Sequence, residues 1–121
     1  MTEQAQQIAR AYQRKYEALW NSSGAEALAQ LYTSDAVFTG RKVATGRAEI
    51  AAELNAMLQR GWTAISVNIL HVREVAGGVL VVSEFTAFGS GAIEGETLSG
   101  KSNHVLAEVD GAWLSAMHGV M

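Results

Sequence analysis

Apolar residues recur every three or four positions in the first half of the chain and every two in the second. From Thr2 to about Asn21, Ile8, Tyr12, Tyr16, Leu19 and Trp20 form one stripe, while Gln4, Gln7, Arg14 and Glu17 occupy the remaining surface. That is the period of an amphipathic helix. Ser23, followed three residues later by Glu26, makes a capping box in which hydroxyl and carboxylate satisfy backbone donors. A short second helix is therefore predicted from about Gly24 to Tyr32. Asp35 to Thr39 reads as a short strand after the turn residue Ser34, and Gly40 to Gly46 as a loop. Gly46 and Glu49 open a third helix, striped by Ile50, Leu54, Met57 and Leu58 and ended by Gly61.

Beyond Gly61 the pattern changes. Ile65, Val67, Ile69, Val72 and Val75 are β-branched, and Gly77-Gly78 can supply the positive φ angles of a tight hairpin into a partner strand, Val79 to Phe88. A glycine-rich link, Gly89 to Gly100, leads to a third strand from about Lys101 to Val109, a turn at Asp110-Gly111 and a return from Trp113 to Val120. Helices first and an antiparallel meander afterwards define an α+β domain with helices on one face of a curved sheet. Strand Val79 to Phe88 is apolar at both parities, where a sheet covered on one face should alternate. A second copy is the obvious cover for the other face, so a homodimer through the sheet is expected.

Composition narrows the function classes. A chain of 121 residues fits one domain with a real core, and a net charge of −3 does not suit a phosphate backbone, so no nucleic acid partner is expected. The absence of cysteine removes disulfides, thiolate metal sites and a thiol nucleophile together. No cofactor is implied by any phosphate-loop or dinucleotide pattern in the glycine-rich link. The longest aliphatic run, Val79 to Val82, is too short to span a bilayer and the N-terminus lacks an apolar signal region, so no membrane partner and a cytoplasmic location are expected.

Three residue sets carry candidate chemistry on their own. Glu84 shares parity with Leu80, Val82 and Phe88; facing the helices it would be a buried general acid or base, and facing outward an interface or solvated carboxylate paired with a neighbour such as Arg73. Equidistant pairing about Asp110-Gly111 sets His104 opposite roughly Met117, which turns His118 to the other face and leaves no convergent metal site, with His71 on a third strand. Trp20, Tyr32, Phe38, Met57, Trp62 and Met117 are the expected lining of a soft apolar pocket, suited to a planar polycyclic or isoprenoid-like ligand.

The order KYEALWNSSGAEALAQLYTSDAVF, then GRAEIAAEL, then a meander ending in VDGAWLSAMHGV resembles the NTF2-like superfamily across nearly the whole chain, and within it the SnoaL-like, ketosteroid-isomerase-like and DUF4440 (SgcJ-type) proteins. The resemblance implies a cone, in which the curved sheet wraps the long first helix and leaves an apolar pocket at the open end for a small apolar molecule. It implies an oxyanion donor at Tyr16 and a second at Asn103, where an amide replaces the protonated aspartate of the isomerase branch. The carboxylate base of that branch falls at Gly40 here, which has no side chain, so any proton transfer would pass to Glu84 or His118. Isomerase, cyclase or lyase chemistry on a carbonyl compound and plain ligand binding or accessory interaction therefore both stay open, because fold alone does not decide between them.

Overall fold

The computed structural model describes residues 3–22 and 24–121. Ser23 of the expected capping box and Thr2 of the expected first helix lie outside the described residues. Helix α1 runs Glu3–Ser22 and buries Ala5, Ala9, Tyr12, Gln13, Tyr16 and Trp20. The stripe is thus turned slightly from the expected one: small alanines let the helix approach the sheet, and Ile8 and Leu19 pack half-buried at its margin. Gly24, at φ 90°, leads into the single-turn helix α2, Ala25–Ala29.

Strand β1 is Tyr32–Thr39, three residues earlier than expected. Tyr32 is not a helix end: it is fully buried, aligned with Ser115, and the Ser115 amide donates to the Leu31 carbonyl at 2.8 Å. Tertiary pairing overrides the helical continuation of so short a segment. The expected loop after Gly40 contains strand β2, Val43–Thr45, which folds back on β1. Helix α3, Gly46–Gln59, buries Ile50 and Leu54, and the Glu49 carboxylate accepts from the Thr45 amide at 2.9 Å across its first turn.

Strands β3 (Trp62–Val75), β4 (Gly78–Gly89), β5 (Thr97–Val109) and β6 (Ala112–Val120) form the meander. The sheet order is β2-β1-β6-β5-β4-β3, with only the β1–β6 pairing parallel. Asp110 and Gly111, at φ 50° and 82°, make the expected tight turn. The glycine-rich link is mostly strand and a short helical turn, Gly91–Ile93. Gly89 of the link and Gly61 before β3 serve close packing: a Cβ on either would collide with the Ile93 side chain, which folds over both.

The inner face of the curved sheet carries Ala36, Phe38, Ile65, Val72, Val79, Val81, Ala87 and Leu106 against α1 and α3. Strand β3 is the long edge of the sheet, opposite the short edge strand β2, and α1 occupies it with side chains. Asn21 accepts from the Ile65 amide at 2.8 Å, Glu17 accepts from the Val67 amide at 2.9 Å, and the Trp20 indole donates to the Trp62 carbonyl at 3.0 Å. Backbone groups that an edge would leave unpaired are thereby satisfied, and the sheet closes around the helix into the expected cone.

Candidate functional site

One irregularity decides what the cone contains. Val105 pairs with Met117 but Leu106 pairs with Ser115, so Ala116 is an extra residue on β6. This bulge rotates the following residues by one step. The pairing of His104 with Met117 expected from a regular hairpin is therefore replaced by His104 directly opposite His118, with both imidazoles buried on the inner face. Their rings stack at 3.8 Å between centroids, 20° from parallel.

Hydrogen bonds tie this pair to the first helix. Tyr16 Oη lies 2.6 Å from Tyr32 Oη, which lies 2.7 Å from His118 Nδ1. The chain has two proton arrangements: Tyr16 donates to Tyr32 and Tyr32 to the imidazole, or His118 Nδ1–H donates to Tyr32 and Tyr32 to Tyr16, releasing the Tyr16 hydrogen toward the cleft. His104 is held differently. The Ser115 hydroxyl donates to the Met117 carbonyl at 3.0 Å, so at its 2.8 Å contact with His104 Nδ1 it can only accept. His104 therefore carries its proton on Nδ1, and in the neutral ring Nε2 keeps its lone pair.

Burial sets the charge state of the whole cluster. It lowers the His118 pKa to about 3, and it lowers His104 well below the usual histidine value, with the neighbouring His118 adding to the effect. Desolvation pushes Tyr16 well up, and Tyr32 and Tyr12 likewise. At neutral pH the site is an array of neutral imidazoles and phenols, able to donate to and accept from a polar ligand atom without bringing a net charge.

Tyr16, His104 and His118 line a narrow cleft of about 50 Å³, whose polar lining also includes Gln13 and Ser102 and whose walls include Trp20, Phe38, Leu54 and Met57. No charged side chain lines it among the described residues. A wider mouth of about 360 Å³ shares Phe38, Met57, Phe85 and Val120 with the cleft and adds Trp62. Of the expected pocket residues, Trp20, Phe38 and Met57 line the cleft and Trp62 lines the mouth. Tyr32 stands behind the wall as the link between Tyr16 and His118. Met117 lines neither, because the bulge leaves it paired with Val37 and Val105, one step from the inward His118.

Among the expected catalytic residues, Tyr16 and His118 meet and the other two are elsewhere. Glu84 falls on the outer face, between the inward Ser83 and Phe85, where it accepts from Asn68 Nδ2 at 3.0 Å and lies 4.0 Å from Lys101 Nζ. The outward alternative holds for Glu84, with Asn68 and Lys101 in place of Arg73. Asn103 also faces outward, beside the inward His104, and a Cβ on Gly119 would come 2.8 Å from its Oδ1. The reading of Asn103 as a pocket donor is thus corrected: its side chain lies on the face of β5 opposite to that of His104. His104 and Ser115 were missed as site residues, although His104 shares parity with Ser102 and Leu106 on one buried row. His71 is exposed on β3, across from Val82.

The fold recurs in solved structures of low identity. A ketosteroid isomerase-like protein from Erwinia carotovora atroseptica superposes with a TM-score of 0.81 at 20% identity, over 99% of this chain and 96% of that one. Aln2 from a Streptomyces species gives 0.83 at 16% identity over 100% and 92%, and an NTF-2-like protein of unknown function from Shewanella oneidensis gives 0.80 at 14% over 95% and 97%. No curated protein matches the sequence. Residues 12–115 match the SnoaL-like domain, nearly all of the cone from Tyr12 on α1 to Ser115 on β6. With its NTF2-like cone and this match, the chain belongs to the SnoaL-like domain family.

Proposed function

We propose that the protein binds a small apolar carbonyl or enol compound with its oxygen on Tyr16, and that the Tyr16–Tyr32–His118 chain exchanges a proton with it. The observation that carries this reading is the continuous buried hydrogen-bond chain from the cleft to His118, with contacts of 2.6 and 2.7 Å. Three phenols and two imidazoles are costly to desolvate, and apolar side chains would fill a purely structural core more cheaply. A ligand oxygen that gains negative charge would be stabilised by the oriented Tyr16 hydroxyl. In the other direction, Tyr16 accepts a ligand proton as Tyr32 takes the one from Tyr16 and His118 Nδ1 takes the one from Tyr32. The low basicity of His118 keeps the resting chain neutral and ties its protonation to an anionic ligand beside it.

The cleft volume limits the ligand. At about 50 Å³ it admits a reacting group and not a planar polycycle, whose body would occupy the mouth. The test is α-hydrogen exchange of 2-tetralone in D2O followed by NMR, together with its effect on melting temperature. Wild-type protein is expected to speed the exchange, and Tyr16→Phe and His118→Gln to abolish the acceleration. Stabilisation by 2-tetralone without faster exchange would favour the second reading, a binding protein, which the weak basicity of both histidines supports. Neither effect would refute both.

The same reading includes a homodimer through the outer face of β4 to β6, where Leu80, Val82, Val105 and Met117 form an apolar, half-buried patch. A monomeric mass by light scattering at micromolar concentration would refute the dimer.

A further inference from the structure

The walls of the mouth differ from its floor. Phe38, Met57, Trp62, Phe85 and Leu98 make an apolar bed, and Leu98 is 42% exposed. Two arginines rise at the rim: Arg41 on the turn between β1 and β2, and Arg60 at the C-cap of α3. Both also border a shallow groove over Ala52 and Ala56 of α3, so they stand on the same side of the opening. The carboxylate beside them, Glu53, is already held by Lys42 at 3.1 Å. Neither guanidinium has an ion pair or side-chain hydrogen bond among the described residues. In a chain of net charge −3, the rim of this opening thus carries two uncommitted cations.

We infer that the mouth selects apolar ligands bearing a carboxylate, which Arg41 and Arg60 hold at the rim while the apolar body lies on Phe38 and Trp62 and the reacting group enters the cleft. The substrate class is then an aromatic or alicyclic acid that also carries a carbonyl or enol function. Guanidinium suits this task because its planar fork pairs two donors with a carboxylate, and a nearby apolar surface strengthens the pair by excluding water. The uncharged cleft beyond the rim imposes the orientation: a carboxylate entering first would be desolvated with no cation to meet it, so the acid group stays outside. The inference deepens the proposed function and rests on its assignment of the cleft as the reacting end.

Calorimetric titration with 2-naphthoate and 2-naphthamide, two ligands of one shape and different charge, tests it. The acid is expected to bind at least tenfold more tightly than the amide in low salt, with the margin shrinking in 0.5 M NaCl. The Arg41→Gln, Arg60→Gln double variant should bind both alike, and Lys101→Gln, which removes a cation from the outer face, should keep the preference. Equal binding of acid and amide to the wild type, survival of the preference in the double variant, or its loss in Lys101→Gln would overturn the inference. Stabilisation and exchange of neutral 2-tetralone are untouched by those outcomes, so the rim can fail while the reading of the cleft stands.

Discussion

Asn103 and His104 are consecutive on β5 and lie in opposite worlds. His104 stacks on His118 and is tied to Ser115, with no route to a charged state at neutral pH. Asn103 leans over Gly119 on the outer face, where Glu84, Asn68 and Lys101 also gather with half of the Glu84 side chain in solvent. Inside, the phenol hydroxyls and both imidazole Nδ1 atoms depend on one or two fixed partners; outside, water can replace any of them. Residue type alone would have favoured the carboxylate and the amide as site groups. Facing decides instead, and one bulge residue, Ala116, sets the facing of His118.

The largest expected effects break the inner chain. Tyr32→Ala removes a fully buried aromatic ring together with the bridge between Tyr16 and His118, and should cost about 3 to 5 kcal/mol in urea unfolding. Tyr32→Phe keeps the ring and leaves two buried partners unsatisfied, for an expected loss of about 1 to 3 kcal/mol. A Tyr32→Phe protein as stable as wild type would mean that the chain is not formed in solution.

Next in size is the response to pH. The folded-state pKa of His118, about 3, lies below its unfolded value near 6.5, so the unfolded chain binds the extra proton between those limits. Stability is complete above about pH 6.5 and falls as the pH drops through that window, by about 1.4 kcal/mol per pH unit for each imidazole so buried. His104, shifted in the same direction, should add to the slope, and His104→Gln should remove its share. The tyrosines act oppositely. Their raised values preserve stability below about pH 10 and withdraw it as the pH climbs further, because the unfolded phenols ionise first. Unfolding free energies measured from pH 4 to 11 should therefore form a plateau between about 6.5 and 10. A flat acid limb would contradict the burial of the histidine pair.

The smallest effect belongs to the outer face. Glu84→Gln should change stability by less than about 0.5 kcal/mol, since the Lys101 contact is 4.0 Å long and both groups are solvated. It should leave 2-tetralone exchange unchanged. A loss of exchange in Glu84→Gln would sharpen the contrast in reverse, by showing that the outer face reaches the cleft.

What could be read in the sequence was whatever local chemistry determines. The period of α1, the Gly46 start of α3 and the Asp110-Gly111 turn each follow from a few neighbouring residues, and all stand in the fold. Tyr16 was legible as a buried residue from the helix stripe, and as a donor only through the family resemblance. His118 was named, but its convergence with His104 was not, since Ala116 gives no glycine or proline signal of a bulge. Glu84 was ambiguous because β4 is apolar on both faces, and the decision came from pairing with β3 and β5. Strand β2 escaped notice because three residues at an edge carry too little pattern. Glycines 61 and 89 read as breaks, while their small size accommodates Ile93.

The edge of β3 has a consequence of its own. Asn21, Glu17 and Trp20 do there what a further strand would do, but they belong to a helix, so the protection of this edge depends on side chains and not on a backbone ladder. Partial release of α1 would uncover strand backbone from Trp62 to Val67 while the rest of the sheet stayed formed, presenting a ready template for another chain. The protein's vulnerability to self-association is therefore governed by how firmly its first helix is seated, and conditions that loosen that helix should produce aggregates before they produce unfolded monomers.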